Sequence, residues 1–178
     1  QPEFRDAHYL DGFAHADGRF HFSPDWNALM PHGFGPSNTV MPTLPDHWNV
    51  IEEANSEMPY RLVTAPARHY LNSTFTQAPT SKRRQRRPSA MLHPDDARDL
   101  KIATGDTIRL GNLRGEIQIG AEVIETAQRG VVIVESIWPS HAFAGGKGIN
   151  VLTGADPVAP VGGAAFHDNR VWIQRTTS

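Results

Sequence analysis

Short stretches that alternate polar and apolar residues, separated by turns, dominate the chain from residue 60 onward. The clearest runs from Glu116 to Ile124, where every second residue is apolar or small. A period of two is typical of a strand with one buried face. Further strands are predicted at 60–64, 89–92, 106–110, 130–135 and 170–174. Because 130–135 is apolar on both faces, we expect it to be the central strand.

One short helix is predicted between the second and third strands. Pro94 suits the first helical turn, and Asp95 and Asp96 complement the positive end of the helix dipole. The helix should end near Lys101. Many short strands with one or two short helices are typical of a closed β-barrel, so the predicted fold class is mainly β with short helices.

The N-terminal third has a different character. Residues 1–58 show no sustained periodicity, and proline and glycine recur there between aromatic residues. Disordered linkers are usually poor in aromatics, so we predict an irregular arm that packs against something, followed by a barrel domain over 59–178. Asp17 and Gly18, between Phe13 and Phe20, predict a hairpin turn within the arm.

Composition narrows the possible chemistry. The 178 residues carry a formal charge of -2 and include no cysteine, which excludes disulfides, thiolate zinc sites and cysteine-held iron–sulfur clusters in this chain. No apolar run is long enough to cross a bilayer, so no membrane insertion is expected. The nine histidines lack the paired spacing of metal ligands, and no serine lies in a Gly-x-Ser-x-Gly turn. We therefore predict neither catalytic nor metal-ligating residues.

The only strong charge run, at 82–87, contains five basic residues around Gln85. Such a run can bind nucleic acid or phosphate. No aromatic residue lies inside it to stack on a base, and the chain is nearly neutral. We expect a solvated loop between the first two strands, or a segment that pairs with acidic surface of a neighbouring domain, and no nucleic-acid partner.

The segment at 64–73 is the first candidate binding site. It follows the end of the first strand and offers several hydrogen-bond donors within ten residues, from Thr64, Arg68, His69, Asn72 and Ser73. Donors of this kind suit a phosphorylated ligand with polar ring edges. The alternative is a surface loop with a side-chain turn at Asn72.

Two later segments offer similar groups. The glycine-rich stretch at 145–153 ends in Asn150 and Thr153, where the chain can approach a ligand closely, although a plain loop is the alternative. His167 and Asn169 precede the last strand and suit contacts with a base edge. Trp138 either fills the core or forms one edge of a pocket.

Three of these segments together resemble a known family. They are 64–73, His-Pro-Asp-Asp-Ala at 93–97 and Asn-Val-Leu-Thr-Gly at 150–154. In this order they resemble the C-terminal dinucleotide-binding domain of the molybdopterin oxidoreductases, the dimethyl sulfoxide reductase and formate dehydrogenase superfamily. The resemblance implies a double-psi β-barrel of the aspartate-decarboxylase type. It also implies that Asn150 and Thr153 lie against the dinucleotide, whereas His167 and Asn169 stand where many relatives have a lysine or another polar group.

The resemblance also implies a role within a larger enzyme. The cofactor would be bis(molybdopterin guanine dinucleotide) with molybdenum or tungsten, and any iron–sulfur cluster would lie upstream. Upstream domains of the same polypeptide are the expected partners, together with a candidate electron-transfer subunit, and the isolated chain should be inactive. The first residue is Gln1 and no methionine precedes Met30, so the sequence reads as a piece of a longer chain.

The compartment is unknown, with the cytoplasm slightly favoured. Two alternatives remain open at this point. One is a stand-alone β-barrel interaction module that binds protein, and the other is a nucleic-acid-binding barrel that uses the basic run at 82–87.

Overall fold

The computed structural model describes residues 2–23, 25, 44, 52–135, 138–155, 157–158, 163–164, 166–167 and 169–176. Residues 26–43 and 45–51 of the predicted arm lie outside these residues, and so does Asp168. The chain divides into two compact units, Gln1–Trp48 with Pro157–Gly163 and Asn49–Asp156 with Ala164–Ser178. The arm and barrel boundaries at 1–58 and 59–178 stay a prediction.

Within residues 2–23, the first unit contains one helical turn and one tight turn. Helix α1 is Phe4–Ala7. At the predicted hairpin, the Gly18 N–H donates to the His15 carbonyl at 2.8 Å, and the Phe13 N–H donates to the Gly18 carbonyl at 2.9 Å. Gly18 has φ 66, which a glycine adopts readily. The turn is present, but no strand flanks it within residues 2–23.

The second unit is built on six strands, which are β1 Tyr60–Ala65, β2 Ser89–Leu92, β3 Thr107–Asn112, β4 Gly115–Val123, β5 Val131–Glu135 and β8 Asn169–Arg175. They close into a barrel in the order β1-β5-β2-β4-β3-β8. Two short strands, β6 Pro157–Val158 and β7 Gly163–Ala164, pair with each other. The six predicted strands are confirmed to within two residues at each end.

Two parallel pairs define the barrel. Strand β1 runs parallel to β5, with Arg61 opposite Val131, and β2 runs parallel to β4, with Ser89 opposite Gly120. The four other pairings are antiparallel. This is the predicted double-psi β-barrel. The expectation that β5 is central was wrong, because a closed barrel gives every strand two neighbours.

The core fills the inside of the barrel. The alternation predicted for β4 is confirmed, since Ile117, Ile119 and Ala121 are all buried. On β5, Val132 and Val134 are buried, whereas Ile133 on the other face is only half-buried. The side chains that are entirely buried include Leu62, Leu92, Ile108, Leu110, Val132 and Val171.

Two short helices flank β2. Helix α2 spans Pro79–Gln85, and α3 spans Pro94–Asp99, whose first turn is capped by His93 Nδ1 accepting from the Asp95 N–H at 3.1 Å. The predicted helix at 94–101 is therefore confirmed with a slightly earlier end. The basic run was predicted to be a loop, which was wrong for 82–85. Pro79 at the first helical position and a run of good helix formers favour α2 there.

A carboxylate ties the segment before β1 to the barrel. Glu52 accepts hydrogen bonds from the Arg114 side chain and, at 3.2 Å, from the Arg170 N–H. Burial acts to raise the pKa of Glu52, but these bonds outweigh it and hold that pKa below its ordinary value. The charged form of Glu52 therefore stabilises this junction.

The described residues contain neither a membrane-spanning helix nor a cluster of metal-ligating side chains. None of the helices there has the length and apolar character needed to cross a membrane. Nor does that part of the chain bring three histidine or carboxylate side chains together in a way that could hold a metal ion.

Candidate functional site

A cavity of about 490 Å³ opens where β1 ends, beside the segment 149–153. Its walls are Thr64, Ala65, Pro66, Ala67, Asn72, Ile149, Asn150, Thr153, Phe166 and His167. This volume lies within the range of small-molecule sites.

The first wall comes from the turn that follows β1. Ala67 and Tyr70 are buried, at 6% and 5% exposure, and fix the turn to the barrel. Tyr70 packs edge-on against Trp138, with 5.0 Å between the ring centroids. Asn72 adopts φ 51, a left-handed conformation that asparagine tolerates better than most residues. These anchors leave Asn72 exposed at the cavity.

The second wall is a single 3-10 turn, Ile149–Val151. Ile149 and Leu152 are buried, so the turn is held from below and Asn150 stays exposed. The side-chain amide of Asn112, at the end of β3, donates to the Leu152 carbonyl at 2.7 Å. Thr153 Oγ1 donates to the Asn150 carbonyl at 3.3 Å, which closes the segment on itself.

Phe166 and His167 form the third wall, and Asn169 connects it to the second. Its side chain is nine-tenths or more buried, at 2% exposure for the residue. Its Oδ1 accepts from the Gly154 N–H at 2.9 Å, and its Nδ2 donates to the Phe166 carbonyl at 2.6 Å. Because both ends of the amide are engaged, Asn169 positions the segments that carry Thr153 and His167.

The cavity combines apolar walls with uncharged polar groups. Thr64 Oγ1 and His167 Nδ1 lie 3.1 Å apart and join the end of β1 to the segment before β8. Phe166 is half exposed and offers an aromatic face. Among the described residues that line the cavity there is no lysine, arginine, aspartate or glutamate. Such a site suits a planar ring with polar edges, which stacks on apolar atoms and hydrogen-bonds at its rim.

The structure separates the residues predicted to bind a ligand. Thr64, Asn72, Asn150, Thr153 and His167 meet around this cavity. The remaining five lie elsewhere.

Arg68 and His69 line a second cavity, of about 590 Å³. Trp138 packs against the core and lines a third cavity. Ser73 is exposed, and its carbonyl accepts from Thr76 Oγ1 at 2.9 Å. Asn169 is buried as described above, so none of the residues in this group touches the space of the first cavity. Their contact with a ligand stays a prediction.

Five lining residues escaped the sequence reasoning, namely Ala65, Pro66, Ala67, Ile149 and Phe166. All five are apolar, and each lies within three residues of a predicted polar group. The prediction from the sequence left these five residues out because it considered only residues with hydrogen-bonding side chains. Ligand sites are mostly apolar, so the neighbours of the predicted donors were the available signal.

Fold and cavity together define a small double-psi β-barrel with a cavity at the edge of its loops. The family model described as "Molydopterin dinucleotide binding domain" matches residues 60–171, more than half of the chain. The chain belongs to this family of molybdopterin dinucleotide-binding domains, as the sequence motifs predicted.

Individual relatives agree with this assignment. Probable oxidoreductase YoaE of Bacillus subtilis is 31% identical over 137 residues, which are 75% of this chain and 19% of that protein. The respiratory nitrate reductase subunit alpha of Haloferax mediterranei is 28% identical over 61% of this chain and 11% of its own length. The chain therefore spans about a fifth or less of these curated relatives.

A solved structure supports the fold. Acetylene hydratase from Pelobacter acetylenicus superposes with a TM-score of 0.71 and 16% identity, covering 93% of this chain and 24% of the hydratase. At that identity the likeness concerns the fold alone.

Proposed function

We propose that this chain is the cofactor-binding C-terminal domain of a molybdenum or tungsten oxidoreductase, and that the cofactor is bis(molybdopterin guanine dinucleotide). The observation that carries the proposal is the first cavity, where uncharged donors surround apolar walls between the end of β1 and residues 149–153. Membership of the dinucleotide-binding family supports the proposal, because a molybdopterin dinucleotide has ring edges that match the chemistry of this cavity.

The donor set fits the ring systems of such a cofactor. Guanine and pterin both present amide-like edges, which the side chains of Asn72, Asn150 and Thr153 can pair as donors or acceptors. Phe166 provides an exposed aromatic face on which a ring can stack. The apolar atoms of Ala65 and Ile149 exclude water from the same space.

The cofactor and the residues of this chain have separate roles in this proposal. When bound, the cofactor supplies the redox chemistry at its metal. The residues of this chain bind and orient its nucleotide and pterin parts, and none of them is proposed to be catalytic. The proposal for Arg68, His69, Ser73, Trp138 and Asn169 is an indirect role through the segments that carry the cavity walls.

The rest of the enzyme would be supplied by further polypeptide. Since the chain spans at most 19% of the length of the two relatives described above, we propose upstream domains of the same polypeptide as its partners. An iron–sulfur cluster, if the enzyme has one, would lie there, because this chain contains no cysteine. An electron-transfer subunit is a further proposed partner, and the isolated chain should show no turnover.

Substitution in the full-length enzyme tests the site. Replacing Asn150 with alanine removes a cavity donor, and replacing Thr153 with valine removes a hydroxyl that can accept from the ligand while it donates to the Asn150 carbonyl. Each neutral hydrogen bond contributes about 1 kcal/mol, so cofactor retention should weaken about fivefold per substitution. The measurement is metal and pterin content of the purified enzyme.

Gln118→Ala is the matched control, because Gln118 is exposed on β4 and does not line the cavity. Its metal and pterin content should equal that of the unmodified enzyme. Unchanged content in the double variant would remove Asn150 and Thr153 from the site and with them the main support for the proposal.

A further inference from the structure

We infer that the second cavity is a separate binding site for a small multivalent oxyanion of the phosphate class. It has a volume of about 590 Å³ and shares no lining residue with the first cavity. Four guanidinium side chains line it, those of Arg68, Arg84, Arg86 and Arg87. This inference does not rest on the proposed function, because none of the described residues that line the second cavity also lines the first.

The four arginines are not neutralised by ion pairs. Among the described residues, no carboxylate forms a salt bridge with any of them. Most other arginines of the barrel do have such a partner, for example Arg109 with Glu116. A cluster of unpaired like charges repels itself, so an anion that binds among the four would relieve a destabilising arrangement.

The two carboxylates in the cavity have neutral partners. Glu122 Oε2 accepts from Ser89 Oγ at 3.1 Å, and Glu135 Oε2 accepts from Gln85 Nε2 at 3.4 Å. The described residues of the lining therefore carry four guanidinium charges against two carboxylate charges. Its positive excess favours an anionic ligand, and the carboxylates favour one that is small enough to stay near the arginines.

The backbone brings these arginines together at the end of α2. Arg84 lies in the last turn of that helix, and Arg86 follows it with φ 59. A positive φ is unfavourable for a residue other than glycine, so the surrounding structure must hold Arg86 in this conformation. The reversal at Arg86 places Arg87 at the same cavity as Arg84 and as Arg68, which comes from the turn after β1.

A glycine makes room for one of these guanidinium groups. A Cβ atom at Gly120 would lie 3.1–3.2 Å from the guanidinium atoms of Arg87, closer than such contacts normally are. Gly120 on β4 has no left-handed backbone that would otherwise require glycine. The missing side chain at this position therefore lets Arg87 lie flat against the strand, with its fork available to the cavity.

The chemistry of the lining matches a phosphate-class ligand. A guanidinium fork donates two parallel hydrogen bonds to a phosphate, which is why arginine is favoured where such groups are recognised. The hydroxyl group of Thr104, which accepts from the Val123 N–H, adds a neutral donor. The part of the lining that the structure describes contains no phenylalanine, tyrosine or tryptophan, so it offers no large ring on which a nucleobase would stack.

Titration calorimetry of the 178-residue chain with pyrophosphate at low salt tests the inference. Binding of one pyrophosphate is expected, weakened about tenfold in Arg84→Gln and in Arg87→Gln, since each loses a charge-assisted contact. Arg98→Gln is the charge-matched control, because Arg98 lies on α3 outside the cavity and pairs with Asp95 at 2.7 Å. It should bind as the unmodified chain does.

Gly120→Ala tests the geometry without changing charge. Its methyl group would displace the Arg87 guanidinium by a few tenths of an ångström, so we expect about two- to threefold weaker binding. Circular dichroism and thermal unfolding establish that each variant is folded. No binding to the unmodified chain, an equal loss in Arg98→Gln or an unchanged affinity in Arg87→Gln would overturn the assignment.

Two further ligands distinguish the source of the phosphate group. GDP should bind no tighter than pyrophosphate, because the cavity has no surface that recognises the base. GDP binding ten times tighter would overturn the phosphate-class assignment in favour of a nucleotide site. A single-stranded oligonucleotide that binds tighter than pyrophosphate, with the same response to Arg84→Gln, would reassign the surface to nucleic acid.

Discussion

Replacing Asn169 with leucine should loosen two walls of the first cavity at once. Asn169 is 2% exposed, and its amide holds the Gly154 N–H and the Phe166 carbonyl. Leucine has the same branched side-chain skeleton, with bulkier methyl groups, and forms no hydrogen bonds, so the substitution removes both polar contacts; Asn169→Asp is the variant of nearly unchanged size. The segments carrying Thr153 and His167 would lose their common anchor.

The expected loss of stability follows from these two contacts. Each hydrogen bond contributes about 1 kcal/mol, and a buried partner left unpaired costs about 1–3 kcal/mol more. Some relaxation toward water will reduce the second contribution, so we expect a destabilisation of about 2–4 kcal/mol. For a chain of this size that corresponds to a fall in Tm of about 6–12 °C.

Urea unfolding followed by circular dichroism measures the free-energy change, and hydrogen exchange at the Gly154 amide measures the local effect. Exchange of that amide should accelerate more than exchange of the core amide of Leu62. Asn169→Asp is the matched variant, because it keeps an acceptor for Gly154 but loses the donor to Phe166. A change below about 0.5 kcal/mol in Asn169→Leu, with unchanged Gly154 exchange, would refute the positioning role.

Two other predictions concern the barrel itself. Gly111→Ala should destabilise the chain by about 1–3 kcal/mol or more through overpacking, since its Cβ would lie 2.2 Å from an atom of the Trp172 ring. Gly148→Ala, with its nearest contact at 3.3 Å, should have little effect in the same unfolding assay, and equal effects would contradict the reasoning. The pKa of Glu52 is lower in the folded state than in the unfolded state, so its charged form stabilises the fold. This stabilisation is fully present above the unfolded-state pKa and is lost as the pH falls through the folded-state pKa. Thermal unfolding between pH 7 and the acid range should therefore show a Tm advantage over Glu52→Gln that shrinks on acidification; an advantage independent of pH would refute it.

Strand positions could be predicted from the sequence because the period of two is a local property. Burial of Ile117, Ile119 and Ala121 on one face of β4 is what the alternation implied. The helix at Pro94 was also predictable, since its capping and dipole signals lie within a few residues. The helix in the basic run was missed because it buries no residue and so has no apolar period.

The candidate site was predictable only in part. Arg68 and Asn72 are four residues apart and were expected to share one ligand, yet they line different cavities. The buried side chains of Ala67 and Tyr70 fix the turn between them and send the two groups apart. No sequence pattern gives the direction in which a turn residue points.

By itself, the sequence determined the strands, the short helix and the family, since each depends on neighbouring residues or on short motifs read in order. Tertiary structure decided which loops meet. Barrel closure sets β1 between β5 and β8 and so brings Thr64 to His167, more than a hundred positions away. It also engages both ends of the Asn169 amide below the cavity and gathers four arginines elsewhere. Pairing between strands that are distant in the sequence fixes which of these side chains meet. Such pairing cannot be predicted from the local composition of each segment.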